Sequence, residues 1–198
     1  MRRYQTTATF LVVLTACGGG EPDSGTPNTG ATPAAQPAAP SLPPQPGGEM
    51  TVPDWYAVDN DARTVAMTIT AGSTPDNNYW NMNGAINGDL AITVPEGYTV
   101  TIDFVNEDPN MAHSIGVQAD FTNPMLPPTP NPVFEGAVSS NPQSMIDATM
   151  PGQSETVEFV ADTAGEYTLI CYIAGHTAVG MWLYFNVSSD GSAGVQMR

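Results

Sequence analysis

The chain has 198 residues, with 20 acids against four arginines, no lysine, and a formal net charge of −16. A surface of that sign repels phosphate, so nucleic acid is excluded as a partner. Hydrophobic residues make up 41% of the sequence, enough for a core, but 19 prolines and 19 glycines are unevenly spread and divide the chain into stretches of different character.

Residues 1–16 read as an export signal. Arg2 and Arg3 precede the apolar run from Phe10 to Leu14. The run is too short to span a bilayer as a helix. It ends in Leu14-Thr15-Ala16-Cys17, which resembles the bacterial lipobox, so Cys17 is the expected lipid attachment site. The expected localisation follows: an exported bacterial lipoprotein, membrane-anchored through its N-terminal lipid and facing the periplasm or cell exterior. Without residues 1–16 the 20 acids face only Arg63 and Arg198, a net of −18. That charge fits a basic partner steered in by the field, and equally solubility in a saline or acidic habitat.

Residues 17–50 are predicted to be a disordered linker. Eight prolines fall between Gly18 and Met50, with Gly, Ala, Ser and Thr and almost no large apolar side chain. Such a segment buries too little to offset chain entropy. At ~3.1 Å per residue it would reach up to roughly 100 Å.

Residues 51–198 are the predicted domain, of ordinary size for one core. Its pattern is β throughout. Thr64 to Thr70 alternates, and Asp89 to Val94 does so before the turn Pro95-Glu96-Gly97. Tyr98 to Val105 places Val100, Ile102 and Phe104 on one face. Glu155 to Phe159 repeats the alternation. Tyr167, Leu169 and Cys171 share one face of the next strand, and Met181, Leu183, Phe185 and Val187 share one face of the last. Short strands with Gly, Pro and Asn turns predict an all-β Greek-key sandwich or barrel. Gln118 to Gly152 holds seven prolines, which predicts a long surface excursion with a short strand near Val133–Val138 and a helical turn near Ser144–Ala148.

The chemistry lies between the last two strands. Cys171, His176 and Met181 are each separated from the next by four residues. With Cys17 given to the lipid, Cys171 has no disulfide partner and reads as a ligand. His113, ending an earlier β-like run, is the chain's other histidine. Two imidazoles, one thiolate and a weak thioether suit one copper ion in a trigonal site with a long axial bond. Zinc would favour more thiolate or carboxylate and has no use for a thioether. Ser114 is placed to hydrogen-bond the cysteine sulfur or to fix the loop, and Asn106 to tie the loop before His113 to the Cys171 strand. Ala174, Gly175, Ala178 and Val179 make a small uncharged surround that would let a partner's cofactor come close. A fold of this type implies a loop histidine at the end of the sandwich, with the ring edge of His176 near solvent.

The stretch Cys171–Met181 together with His113 resembles the cupredoxins, or blue copper proteins. Plastocyanins have two residues between Cys and His, and azurins three between His and Met. The spacing of four and four resembles rusticyanin and the sulfocyanins. Sulfocyanin is the nearer resemblance, through Trp80-Asn81-Met82-Asn83-Gly84, Val94-Pro95-Glu96-Gly97, His113-Ser114, Gly136-Ala137, Gly152-Gln153-Ser154 and Gly180-Met181-Trp182. The resemblance implies a cupredoxin β-sandwich of eight or so strands with His113, Cys171, His176 and Met181 as ligands to one Cu(I)/Cu(II) ion. Two departures stand out. Ala112 precedes His113 where the family often has proline, and the anchor is a lipobox where archaeal members have a membrane helix.

The expected function is a mononuclear type 1 copper electron carrier, a monomer, serving a c-type cytochrome and a terminal oxidase or reductase. It is not expected to be an enzyme, since a copper nitrite reductase needs a second, all-histidine copper centre. The alternative is an exported copper chaperone or storage lipoprotein. That would favour clustered methionines, whereas here ten are scattered and Met111 is the one extra methionine near a ligand.

Overall fold

The computed structural model describes residues 41–198. The predicted leader, Cys17 and the linker up to residue 40 lie outside the described residues. Nine strands form two sheets: β1 Tyr56–Asp59, β2 Thr64–Ala71, β3 Leu90–Pro95, β4 Tyr98–Asn106, β5 Gly116–Gln118, β6 Ser154–Ala161, β7 Gly165–Ile170, β8 Trp182–Ser188 and β9 Gly194–Met197. The first sheet runs β1-β2-β4-β6 and the second β5-β7-β8-β3-β9. Both are mixed, because β2 lies parallel to β4 and β3 parallel to β8. Among the described residues there is no α-helix, only two single 3₁₀ turns at Asp76–Tyr79 and Thr177–Val179.

Register follows the alternation. Ile102 stands between Met67 and Val157, and Val100 between Val65 and Phe159, so the apolar face of β4 continues across its neighbours. A one-residue slip would turn that whole face to solvent. Opposite it, Ile92 and Tyr167 flank Phe185, and Leu169 pairs with Leu183. These inner faces make one core. Each fully buried Phe or Ile contributes about 1.5–3 kcal/mol.

The second sheet is buried on both faces. Ala91, Ile170, Trp182 and Tyr184 form a cluster on its outer side, with Phe121 and Tyr172. Part of the cover comes from the stretch that composition assigns to the linker. Leu42 packs on this cluster, the Tyr184 hydroxyl donates to the Pro43 carbonyl, and Asn186 Nδ2 donates to Gln45 Oε1 at 2.8 Å. Gln196 Nε2 donates to the Gly48 carbonyl at 2.7 Å. The proline-rich segment that disfavours its own core thus runs along strands that need covering.

The excursion between β5 and β6 departs from expectation. It is not confined to the surface, since Phe134 and Ala137 enter the core, and Phe134 stacks on Phe159 at 5.4 Å. The stretch 133–138 forms no strand, only isolated bridges at Pro132 and Val138. A turn is present at 144–148, closed by Ala148 N–H donating to the Ser144 carbonyl at 3.3 Å.

Candidate metal centre

Cys171 directly follows β7 and Met181 directly precedes β8, so the ligand loop is the hairpin connection between the two strands. The Cys171 N–H donates to the Met181 carbonyl at 3.1 Å and closes the loop at its base. Inside it, His176 N–H donates to the Ile173 carbonyl, and Met181 N–H to the His176 carbonyl at 2.9 Å. Gly180 sits at φ 105°, a conformation costly for other residues, and returns the chain to β8. Its position is further restricted by Asn87, whose N–H donates to the Gly180 carbonyl at 2.8 Å.

His113 arrives differently from expectation. It does not end a strand but lies in the loop between β4 and β5, paired with Thr149 as an isolated bridge. Two bonds, His113 N–H to the Thr149 carbonyl and Thr149 N–H to the His113 carbonyl, hold it there. Asn106 organises this loop. Its Nδ2 donates to the carbonyls of Met111 and Thr149, both at 2.8 Å. It therefore ties the loop to the segment before β6, not to the Cys171 strand. The physical reason is reach: Asn106 ends β4, whose neighbour in the sheet is β6.

The ligand atoms converge. One ligand atom each from His113, Cys171 and His176 lies within 4.8 Å of the others. His176 Nδ1 is 3.2 Å from His113 Nδ1 and 3.5 Å from Cys171 Sγ. All three residues are buried, as is Met181, whose backbone is bonded to both other members of the loop. Ser114 does what its position predicted. Its Oγ is 3.7 Å from Cys171 Sγ and accepts from Tyr172 N–H at 2.9 Å.

Burial sets the protonation of the group. It pushes the Cys171 thiol up, against hydrogen bonds from Ile173 and Ser114 that lower it. A thiolate in this pocket therefore needs a cation to form. Burial lowers His113, although Asp108 opposes the shift. Burial and then the neighbouring His113 lower His176 to about 4. Two neutral imidazoles with facing lone pairs and a thiol that gives up its proton only to a cation are a donor set that fits a soft-to-borderline metal such as copper.

Two contributors were missed in the sequence. Asp108 Oδ2 lies 2.8 Å from His113 Nε2, buried at the back of the site. Trp80 stacks on His176, with ring centroids 4.5 Å apart and planes at 22°. The ring edge of His176 is consequently not near solvent: the residue is 1% exposed. Trp80 was legible only as part of a motif whose job needs the fold to see. Asn81 Nδ2 donates to the Thr74 and Asp76 carbonyls, while Oδ1 accepts from Ser73 Oγ and Gly84 N–H. Asn83 bonds Thr70 N–H and the Thr68 carbonyl along β2 through its side-chain amide. Asn77 Nδ2 reaches the Val179 carbonyl at 2.7 Å. The motif fastens an indole over a histidine.

Residues 54–197 match the family model of the sulfocyanin (SoxE) domain. The chain belongs to the sulfocyanin family. A sulfocyanin of Sulfolobus acidocaldarius is 30% identical over 135 residues, covering 66% of this chain and 67% of that protein. Similar solved structures include a rusticyanin mutant, 21% identical with a TM-score of 0.48, covering 68% of this chain and 88% of that one. Auracyanin from Roseiflexus castenholzii is also 21% identical, with a TM-score of 0.43, covering 67% and 99%. As a sulfocyanin the protein is a blue copper electron-transfer protein with one copper ion, and its histidine–cysteine–histidine cluster fits a type 1 site.

Proposed function

We propose that His113, Cys171 and His176 bind the copper, with Met181 as the weak axial ligand. The observation that carries this reading is the convergence of three buried ligand atoms within 4.8 Å. The copper supplies a one-electron couple when bound. The protein supplies the rest. The Cys171–Met181 bond, the His113–Thr149 bridge and the Asn106 amide hold the donors in place whichever charge the centre carries. A fixed donor set has little to rearrange, which favours fast exchange. Water is excluded by Trp80 and by the closed loop.

The protein works as a carrier and not as an enzyme. With two histidines in the chain, both used here, no second all-histidine centre is available. Its partners are a c-type cytochrome and a terminal oxidase or reductase. Attachment through a lipid on Cys17 keeps it at the membrane surface, facing the periplasm or exterior. Labelled fatty acid that still attaches to Cys17→Ala would refute the anchor.

Partners dock over the ligand loop. Ala174, Gly175 and Val179 are exposed there and uncharged, while His176 lies just beneath. Weak electron-transfer encounters need only a small contact. The test is stopped-flow mixing of the reduced protein with an oxidised basic c-type cytochrome. Val179→Asp should slow the second-order rate without changing spectrum or potential, and added salt should slow the wild type by screening the acidic surround. An unchanged rate for Val179→Asp would mean that electrons leave by another face.

A further inference from the structure

Asp108 is the one acid among the buried polar side chains of the described residues, at 1% exposure. An isolated buried carboxylate is expensive, so its surroundings must compensate. They do so with donors alone. Oδ1 accepts from Asn110 N–H at 2.8 Å and Met111 N–H at 3.2 Å. Oδ2 faces His113 Nε2 at 2.8 Å. The Asp108 N–H is itself held by Asn106 Oδ1 at 2.9 Å. Nothing in this set asks the carboxyl to donate.

The backbone is built to seat this residue. Gly72, at φ +73°, lies so close that an added Cβ would stand 2.6 Å from Asp108 N and 2.8 Å from its Cα. Only a glycine lets the end of β2 pack against it, and Glu107 N–H donates to the Ala71 carbonyl at 2.9 Å beside it.

With an acceptor on Nε2, the His113 proton is held there. The Nδ1 lone pair is then free to point at Cys171 and His176. A carboxylate behind a ligating imidazole also makes that imidazole a stronger donor. Its negative charge, in a dry pocket, favours the more highly charged state of whatever the imidazole binds. A neutral amide in the same place would lose the charge, and could keep an oxygen on His113 Nε2 only by turning its NH2 towards the Asn110 and Met111 N–H groups.

We propose that Asp108 is a positioning residue that fixes the tautomer of His113 and, through its charge, holds down the reduction potential of the copper centre. This rests on the ligand assignment made above. It sets a brake on a site whose burial and thioether push the potential upward.

The test compares copper-loaded wild type with Asp108→Asn and, as a control, Glu107→Gln, which removes the same charge from an exposed neighbour. Potentials are read by spectroelectrochemistry, and Cu(I) and Cu(II) affinities by competition with chelators. Asp108→Asn should keep the colour and weaken Cu(II) binding about tenfold more than Cu(I), a rise in potential of about 59 mV for one electron. Glu107→Gln should move it far less. Asp108→Ala should lower copper affinity roughly 10–100-fold. In Cu(I)-loaded wild type, which is diamagnetic, nitrogen NMR should find the His113 proton on Nε2. A coloured Asp108→Asn protein at the wild-type potential, or a proton absent from Nε2, would overturn the role of Asp108 alone. A colourless wild type would instead overturn the ligand assignment.

Discussion

Met181 is buried and its backbone is bonded to Cys171 and His176, yet a methionine at the start of a strand is also ordinary core. Its chemistry separates the two roles. A weak thioether favours Cu(I), so Met181→Gln, with a harder oxygen donor, should lower the potential and retain copper, whereas Met181→Leu should leave it high or raise it. Potentials unmoved by both changes would make Met181 a core residue only. His176 gives a second prediction. Its folded pKa, about 4, lies below its ordinary value near 6.5 because of burial and His113. Between those values the unfolded chain binds more protons, so the stability of the copper-free protein is complete above about pH 6.5 and falls as the pH drops towards 4. The loss should be roughly 3 kcal/mol, measured by urea unfolding at pH 7, 5.5 and 4. A flat profile would contradict it. His113, Cys171 and His176, which the fold brings together, were readable because histidine and cysteine are so scarce here that the inventory names them, whereas Met181, one of ten methionines, was singled out only by its spacing. Asp108 was not, because it is one of 20 acids and only the turn it makes with Asn110 and Met111 brings it behind His113.

Among the elements, β2, β4 and β6 announce themselves because one face of each is buried and the residues alternate, and β3 and β8 because both faces are covered and the residues run apolar. The short strands β1, β5 and β9 offer three or four residues each, too few to show a period, and exist because a neighbour offers pairing partners. The excursion between β2 and β3 was legible as a motif and opaque as a structure. Its centre is Asn81, 0% exposed, with four side-chain hydrogen bonds. Asn81→Ala would remove all four bonds and leave part-buried backbone groups of the loop without their protein partner, at a cost of about 1–3 kcal/mol. It should also loosen Trp80 from His176, so denaturant unfolding and the fluorescence of Trp80 should shift together. A stability within 0.5 kcal/mol of wild type, taken as the rough bound for an inconsequential surface change, would contradict the assigned role of this loop.

In the whole molecule, two features of composition acquire different meanings. Proline richness in residues 42–48 signals a chain without a core of its own, but the outer face of β8, with Trp182 and Tyr184, supplies one to lie on. Sequence composition cannot express that, because the partner surface is made by strands more than a hundred residues away. The acidity, by contrast, belongs to a chain whose ligand loop, Cys171 to Met181, contains no acid, lysine or arginine. Under the docking proposed above, the field would guide the encounter and the apolar contact complete it. Everything turns on whether the buried cluster holds copper through a thiolate. The direct measurement is the visible absorption of the oxidised full-length protein titrated with Cu(II). An intense blue or greenish band that saturates at one copper per chain, fades on reduction and is absent in Cys171→Ser is the predicted result. A copper-loaded protein with only weak d–d absorption, or a band that survives in Cys171→Ser, would contradict it.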